Sequence, residues 1–334
     1  MKVLLYFEGE KLIAGSGIGR AQKHQMRALE SAGIAYTIDP WDDSFDLLHI
    51  NTVGMNSSSM VAKARREGRP VVYHGHSTEE DFRNSFVFSN QLAPMVKKRL
   101  IDLYSSADVI ITPTPYAKSI LESYGITLPI YPISNGIDLK RFSYDEEKVR
   151  AFRRYFSLEK GQKVVLSVGL YFERKGLLDF MEVAKMLPEY TFIWFGYTNP
   201  LLLTKQVREC LDDVPDNVIL PGYISGAIIE GAYLDADVFF FPSYEETEGI
   251  VVLEALAARQ NVLVRDIGVY NGWLKDKENC YMASDNEGFV AGIKGILTKS
   301  LPSLVEAGYQ VAEARSIEKI GEQLAAVYHT LVGG

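Results

Sequence analysis

Hydrophobic residues in this chain come in short unbroken blocks, such as Val3-Leu4-Leu5-Tyr6-Phe7 and Val238-Phe239-Phe240-Phe241, separated by longer segments where apolar residues recur every three or four positions. A short continuous block suits a strand buried on both faces, and the longer period suits a helix with one apolar side. Their alternation predicts parallel sheets covered by helices. Strands are predicted at 2–7, 47–50, 70–73, 109–112 and 130–133, then at 163–168, 191–195, 218–220, 238–241 and 261–264. Helices are predicted at 18–32, 57–67, 94–105, 115–124, 249–258 and 316–331. The stretch near 145–160 is charged and has no strand signal, which puts a junction there and divides the chain into residues 1–150 and 151–314, followed by a closing helical segment, 315–334.

Length and composition narrow the class. A chain of 334 residues suits two domains better than one core. With 47% apolar residues it is not a disordered chain. Cys210 and Cys280 stand in no metal-ligand or redox spacing, which points to a reducing compartment. The apolar start of the chain is far shorter than a signal-peptide core, and no apolar run approaches the roughly 20 residues that span a bilayer. A cytoplasmic location is expected. The net charge of −8 is unevenly placed: residues 1–150 hold 18 basic and 18 acidic side chains, so the whole deficit lies in the remainder. Within the balanced half, the stretch from Lys63 to Arg99 is locally basic and interleaved with Phe86, Phe88, Leu92 and Met95. That mixture fits docking on an anionic lipid surface; a solvated helix face over an ordinary core gives the same pattern. Without a dense basic stripe, an acidic protein is not expected to bind nucleic acid.

Chemistry concentrates in Glu246-Thr247-Glu248-Gly249-Ile250-Val251-Val252-Leu253-Glu254, which directly follows the strand block at 238–241. Glycine at the start of an apolar helix exposes the backbone N–H groups of Gly249, Ile250 and Val251 to a phosphate. Glu246 stays on the loop, free to accept hydrogen bonds from sugar hydroxyls, while Glu254, about a turn and a half into the helix, could reach a ribose. This suits a bound nucleotide sugar, although an acidic loop capping a helix start reads alike. Gly15-Ser16-Gly17-Ile18-Gly19-Arg20 is superficially a dinucleotide fingerprint, but Arg20 stands where a third small residue is needed, and residues 8–14 separate it from the first strand. Gly17 instead lets the backbone at a helix start approach the donor.

Taken together, Glu246 and Glu254 in their spacing, Gly17-Ile18-Gly19-Arg20, Ser134-Asn135-Gly136-Ile137-Asp138 and Ser167-Val168-Gly169 with Lys175-Gly176 resemble, in order, the motifs of retaining glycosyltransferase family 4. The resemblance implies an α/β fold of the GT-B type, two Rossmann-like domains with parallel sheets facing across a cleft, the final helix crossing back onto the first domain. It implies a UDP-sugar donor, no further cofactor and no metal. A histidine after the third strand contacts the donor sugar in this family; His76 fits that position best and His74 second. Lys175 would stabilise the departing diphosphate. The family arginine after Gly169 is replaced by Leu170, so Arg174 is a candidate substitute. Tyr223 and Ile224 stand where the family packs the base and read equally as core, and Asn135 and Asp138 read mainly as turn formers. The resemblance therefore implies His76, Lys175 and Glu246 as the catalytic set. It implies Gly17, Arg174, Tyr223, Ile224, Gly249, Ile250, Val251 and Glu254 as the donor-binding set.

Within the family, Tyr73-His74-Gly75-His76 followed by Thr78-Glu79-Glu80-Asp81-Phe82 resembles the bacterial diglycosyl diacylglycerol synthases. That implies a lipid-linked acceptor such as monoglucosyl diacylglycerol, a glucose or galactose donor, and a peripheral position on the inner face of the membrane. A soluble or cell-wall precursor acceptor, or sugar-nucleotide binding without turnover, fits the same motifs.

Overall fold

The computed structural model describes residues 1–9 and 17–333. The first sheet contains β1 (Lys2–Tyr6), β2 (Ala35–Thr37), β3 (Leu47–Ile50), β4 (Val71–His74), β5 (Val109–Thr112) and β6 (Ile130–Pro132), in the order β2-β1-β3-β4-β5-β6. The second contains β7 (Val164–Val168), β8 (Thr191–Phe195), β9 (Val218–Gly222), β10 (Val238–Phe241), β11 (Val262–Arg265) and β12 (Tyr281–Ala283), in the order β12-β11-β10-β7-β8-β9. All pairings between these strands are parallel. This is the expected α/β class. The ten predicted strands are present, and β2 and β12 add one edge strand to each sheet. Both additions are three residues long, and a short edge strand leaves little periodic signal.

Helices α1 (Gly17–Ser31), α2 (Ser57–Arg66), α3 (Glu79–Phe82), α4 (Ser89–Tyr104) and α5 (Pro115–Ser123) accompany the first sheet. In the second half lie α6 (Glu146–Tyr155), α7 (Leu177–Met186), α8 (Lys205–Asp212), α9 (Ala227–Asp235), α10 (Ile250–Ala257), α11 (Asn286–Leu297), α12 (Val305–Glu313) and α13 (Ile317–Val332). Helix α4 starts five residues before Pro94, where sequence rules place a helix start. Proline so near the N-terminus costs only one backbone hydrogen bond, and burial of Ala93, Leu100, Leu103 and Tyr104 offsets it. Helix α6 packs on α9: a Cβ on Gly231 would lie 2.1 Å from the Lys148 carbonyl oxygen, so α6 is part of the second layer.

Helix α13 returns to the first lobe. Its entry is fixed by Ile137 N–H donating to Arg315 O at 2.9 Å and Ile317 N–H donating to Ile137 O at 3.1 Å. It then lies against α1 so closely that a Cβ on Gly321 would meet Ala28 O at 2.2 Å. Ile317, Ile320, Leu324, Val327 and Tyr328 join Val3, Leu5, Ala28 and Leu29 in one buried cluster. Among the described residues no helix is long and apolar enough to cross a membrane.

Candidate active site

A cleft of about 800 Å³ lies between the lobes, lined by residues just past the carboxyl ends of β4, β7, β8, β9 and β10. In the second sheet the strand order reverses between β7 and β10, and open α/β sheets bind ligands at such a switch point because the loops there diverge. Gly169 leaves β7 on one side of this crevice and Ser243 to Gly249 leave β10 on the other.

Lys175 enters from the turn after β7. Its neighbour Gly176 has φ of 76°, and a Cβ there would sit 2.4 Å from Pro242 O, so only glycine lets this turn press against the end of β10. The closeness brings the Lys175 ammonium onto Glu246 Oε1, which also accepts from Ser243 Oγ at 2.7 Å. Burial pushes the Glu246 carboxyl up, but Lys175, Arg174 and the hydrogen bonds from Lys175 and Ser243 more than reverse this and hold it below the usual range. Burial, reinforced by Arg174, lowers the Lys175 ammonium despite Glu246 and Asp81.

Gly249, at φ 82°, caps α10, and Ile250 and Val251 follow it in the lining of the cleft. All eight residues of α10 are buried, Glu254 among them at 1% exposure. A buried carboxylate requires partners. Glu254 has them: Tyr233 donates its hydroxyl to Oε2 at 2.7 Å, and Arg20 Nη1 donates to the same oxygen at 3.1 Å and to Oε1 at 3.4 Å. Arg141 adds a charge 3.8 Å from Oε1. Arg20 stands on α1 of the opposite lobe, so the bond to Glu254 crosses the cleft. Gly17 begins α1; residues 10–16, including Gly15 and Ser16 of the glycine loop, lie outside the described residues.

His76 lines the cleft with Nε2 at 3.1 Å from Asn51 Oδ1. Its ring stacks on His74 with centroids 3.8 Å apart, and His74 stacks in turn on His49 at 5.3 Å. Burial lowers His76 to about 3, so it is a neutral imidazole at physiological pH, suited to hydrogen bonding a sugar hydroxyl rather than to supplying charge. His74 is not part of the cleft lining. With His76 neutral, kcat/KM measured against pH is expected to show no limb near the ordinary histidine value of about 6.5. A limb there that disappears in His76→Gln would overturn this protonation state.

Arg174 is the point at which the geometry departs most from the sequence. Although it borders the cleft, its guanidinium is engaged by Asp81 at 2.9 Å, Ser85 Oγ at 2.7 Å and Glu245 O at 3.0 Å. Through Nε and Nη1 it ties the lobes together while still lining the cleft. Tyr223 is 64% exposed and, with Ile224, flanks the cleft near Arg20 and Tyr233. Neither is core.

Three residues contribute to the site although the sequence reading gave them no role. Glu248, 1% exposed, accepts from Asn135 N–H at 3.1 Å and Asn135 Nδ2 at 2.7 Å, as well as from Ser134 Oγ. The turn-forming Asn135 thus clasps the second lobe, while burial keeps the Glu248 carboxyl raised. Arg20 and Asp81 are the other two. The clue for Glu248 was its place in the same acidic loop, but the eight-residue spacing draws attention to Glu246 and Glu254. Among the described residues no group of three or more His, Cys, Asp or Glu side chains is arranged to hold a metal ion.

Two parallel sheets facing a cleft with this lysine, loop carboxylate and glycine-capped helix define a GT-B glycosyltransferase. Residues 19–141 match the glycosyltransferase family 4 profile and residues 149–313 that of glycosyl transferases group 1; the chain belongs to this family of retaining enzymes. Over 333 residues it is 48% identical to the processive diacylglycerol alpha-glucosyltransferase of Acholeplasma laidlawii, with 99% of each chain covered. It is 25% identical to the alpha-galactosylglucosyldiacylglycerol synthase of Streptococcus pneumoniae, covering 81% of this chain and 74% of that one. Among solved structures, Anabaena HepE in complex with UDP-glucose has a TM-score of 0.76 at 17% identity, covering 99% of this chain and all of that one, which bears on the fold alone.

Proposed function

We propose that the enzyme transfers a hexose from UDP-glucose or UDP-galactose to a diacylglycerol glycolipid, with monoglucosyl diacylglycerol as the acceptor, while docked peripherally on the inner face of the membrane. The observation that carries this is the 48% identity, over nearly the whole of both chains, to a protein named for diacylglycerol glucosyl transfer. The cleft geometry supports the donor side. The diphosphate lies on the N-terminus of α10 at Gly249, Ile250 and Val251, with Lys175 as the nearby cation. The ribose hydroxyls approach Glu254, the base lies against Tyr223 and Ile224, and Glu246 and neutral His76 accept or donate to the hexose hydroxyls. Arg174 contributes indirectly, by holding the lobes that carry these groups.

Retention then follows a front-face course. The bond from the anomeric carbon to the diphosphate oxygen breaks as negative charge grows on the phosphates. Lys175 and the helix amides stabilise that charge, and the departing phosphate oxygen takes the proton of the acceptor hydroxyl as the new glycosidic bond forms on the same face. Fixed cations and amides do the work of a metal here, so turnover is expected to survive EDTA.

UDP release should be measured with UDP-glucose and with UDP-galactose, presenting monoglucosyl diacylglycerol in anionic vesicles against a panel of soluble sugar acceptors. The expected result is turnover with the glycolipid, unchanged by EDTA. Preference for a soluble acceptor would overturn the lipid assignment, and activity lost to EDTA and restored by Mg²⁺ would overturn the metal-free mechanism.

A further inference from the structure

Most cations of the Lys63–Arg99 stretch already have an acidic partner. Lys63 pairs with Asp43, Arg65 with Asp108, Arg69 with Glu67, and both Arg83 and Lys97 with Glu79. Phe86 is partly buried; it packs on Phe82 and faces Phe172 of the other lobe. What remains exposed is narrower. Leu92 (38% exposed) and Met95 (65%) lie three residues apart on α4, and Phe88 (66%), in the left-handed region at φ 67°, caps the start of that helix. Arg99, one turn beyond Met95, donates only to the neutral Gly54 O and Ser58 Oγ, and Lys98 has no ion pair among the described residues.

This apolar line does not stop at the lobe boundary. Val87 N–H, next to Phe88, donates to Leu202 O at 3.0 Å, and Leu202 ends a short turn, Pro200–Leu202, in the second lobe. There Leu201 is 80% exposed and Leu202 45%. Gly196 and Tyr197, in the same loop, line the cleft, as do His76, Ser77 and Asp81 at the start of the segment that leads to Phe88. In both lobes, then, a few residues of chain lead from the cleft wall to an exposed apolar side chain.

We propose that the apolar line formed by Phe88, Leu92 and Met95 of the first lobe and Leu201 and Leu202 of the second is one docking surface for an anionic lipid bilayer, spanning the seam between the lobes. The inference rests on the lipid-acceptor reading and adds the second lobe to it. Charge selects the occupant: in a protein of net charge −8, Lys98 and Arg99 have no ion pair among the described residues and stand beside exposed apolar side chains, the combination that an anionic interface rewards.

The seam gives docking a consequence. Residues 84–87 bind the second lobe through Arg174 N–H to Asn84 O at 3.1 Å, Arg174 Nε to Ser85 Oγ at 2.7 Å and Val87 N–H to Leu202 O. Arg174 adjoins Lys175. A bilayer that takes up side chains from both lobes holds this seam closed, and by linkage it favours the arrangement that binds donor. Membrane contact therefore tightens nucleotide binding.

The test uses the full chain and the variant Leu201→Ser/Leu202→Ser, neither side chain being part of the site. Partitioning onto phosphatidylglycerol vesicles and the Kd for UDP, with and without vesicles, are measured. For the parent, vesicles are expected to lower the UDP Kd severalfold. The variant should bind UDP in solution like the parent, partition several times more weakly, and lose the vesicle-induced tightening, whereas Leu201→Trp should partition more strongly. Equal partitioning of parent and double variant would overturn the second-lobe contact while leaving the lipid acceptor standing. Loss of partitioning with an unchanged vesicle effect on UDP would overturn the coupling. A parent that ignores vesicles but turns over soluble acceptors would overturn both this surface and the lipid-acceptor reading.

Discussion

Lys175→Ala is expected to lower kcat by roughly 10²–10³ while changing the Kd for UDP only a few-fold, in keeping with the loss of one well-placed charge from a site where charge develops. The reasoning starts at the ground state. Lys175 is held by Glu246 before any donor arrives, and burial already makes its charge costly. A bound diphosphate gives that charge a second partner, and the attraction increases as the bond to the sugar breaks, so removing the ammonium costs more in the transition state than in binding. Lys175→Arg should recover part of the loss, limited by the tight turn that Gly176 imposes against Pro242 O. Steady-state kinetics with a calorimetric UDP titration decide the matter. A Lys175→Ala enzyme with kcat within about threefold of the parent would remove Lys175 from leaving-group stabilisation.

Glu254→Gln is expected to weaken UDP binding by about tenfold to a hundredfold, the range for losing charged hydrogen bonds to ribose hydroxyls. The same change leaves Arg20 facing a neutral amide, and a partly buried charge that loses its counter-charge destabilises the fold. The two effects can be separated. In Arg20→Met/Glu254→Gln the melting temperature should recover relative to Glu254→Gln, because no charge is left unpaired, while UDP affinity stays low. If the double variant regained UDP affinity along with stability, Glu254 would be an anchor for Arg20 and not a ribose ligand.

These outcomes depend on contacts that differ in how visible they are from sequence. The spacing of Glu246 and Glu254 was legible because both lie within one loop and the helix it feeds, so about eight residues of local geometry fix their relation. Lys175 was legible through the resemblance of Lys175-Gly176 to the family motif. The partners of these groups were not legible. Arg20 is 234 residues from Glu254, Asp81 lies on a short helix of the other lobe, and Ser134 and Asn135 meet Glu248 from across the cleft. No period or local motif encodes an encounter between lobes.

Sequence by itself determined the elements, because strand blocks buried on both faces and helices with one apolar side follow from near-neighbour pattern and the loss of water from apolar surface. It also determined the glycine-capped helix start and the loop carboxylate beside it. Only the tertiary structure decided what the charges do. It engaged Arg174 with Asp81 and Ser85 of the other lobe, gave most of the Lys63–Arg99 cations an acidic partner, and brought Val87, beside the exposed Phe88, to Leu202 of the second lobe. The reason is physical: a side chain's charge is a property of its residue type, whereas its partner, its burial and hence its role depend on which distant segment folding brings within a few ångströms.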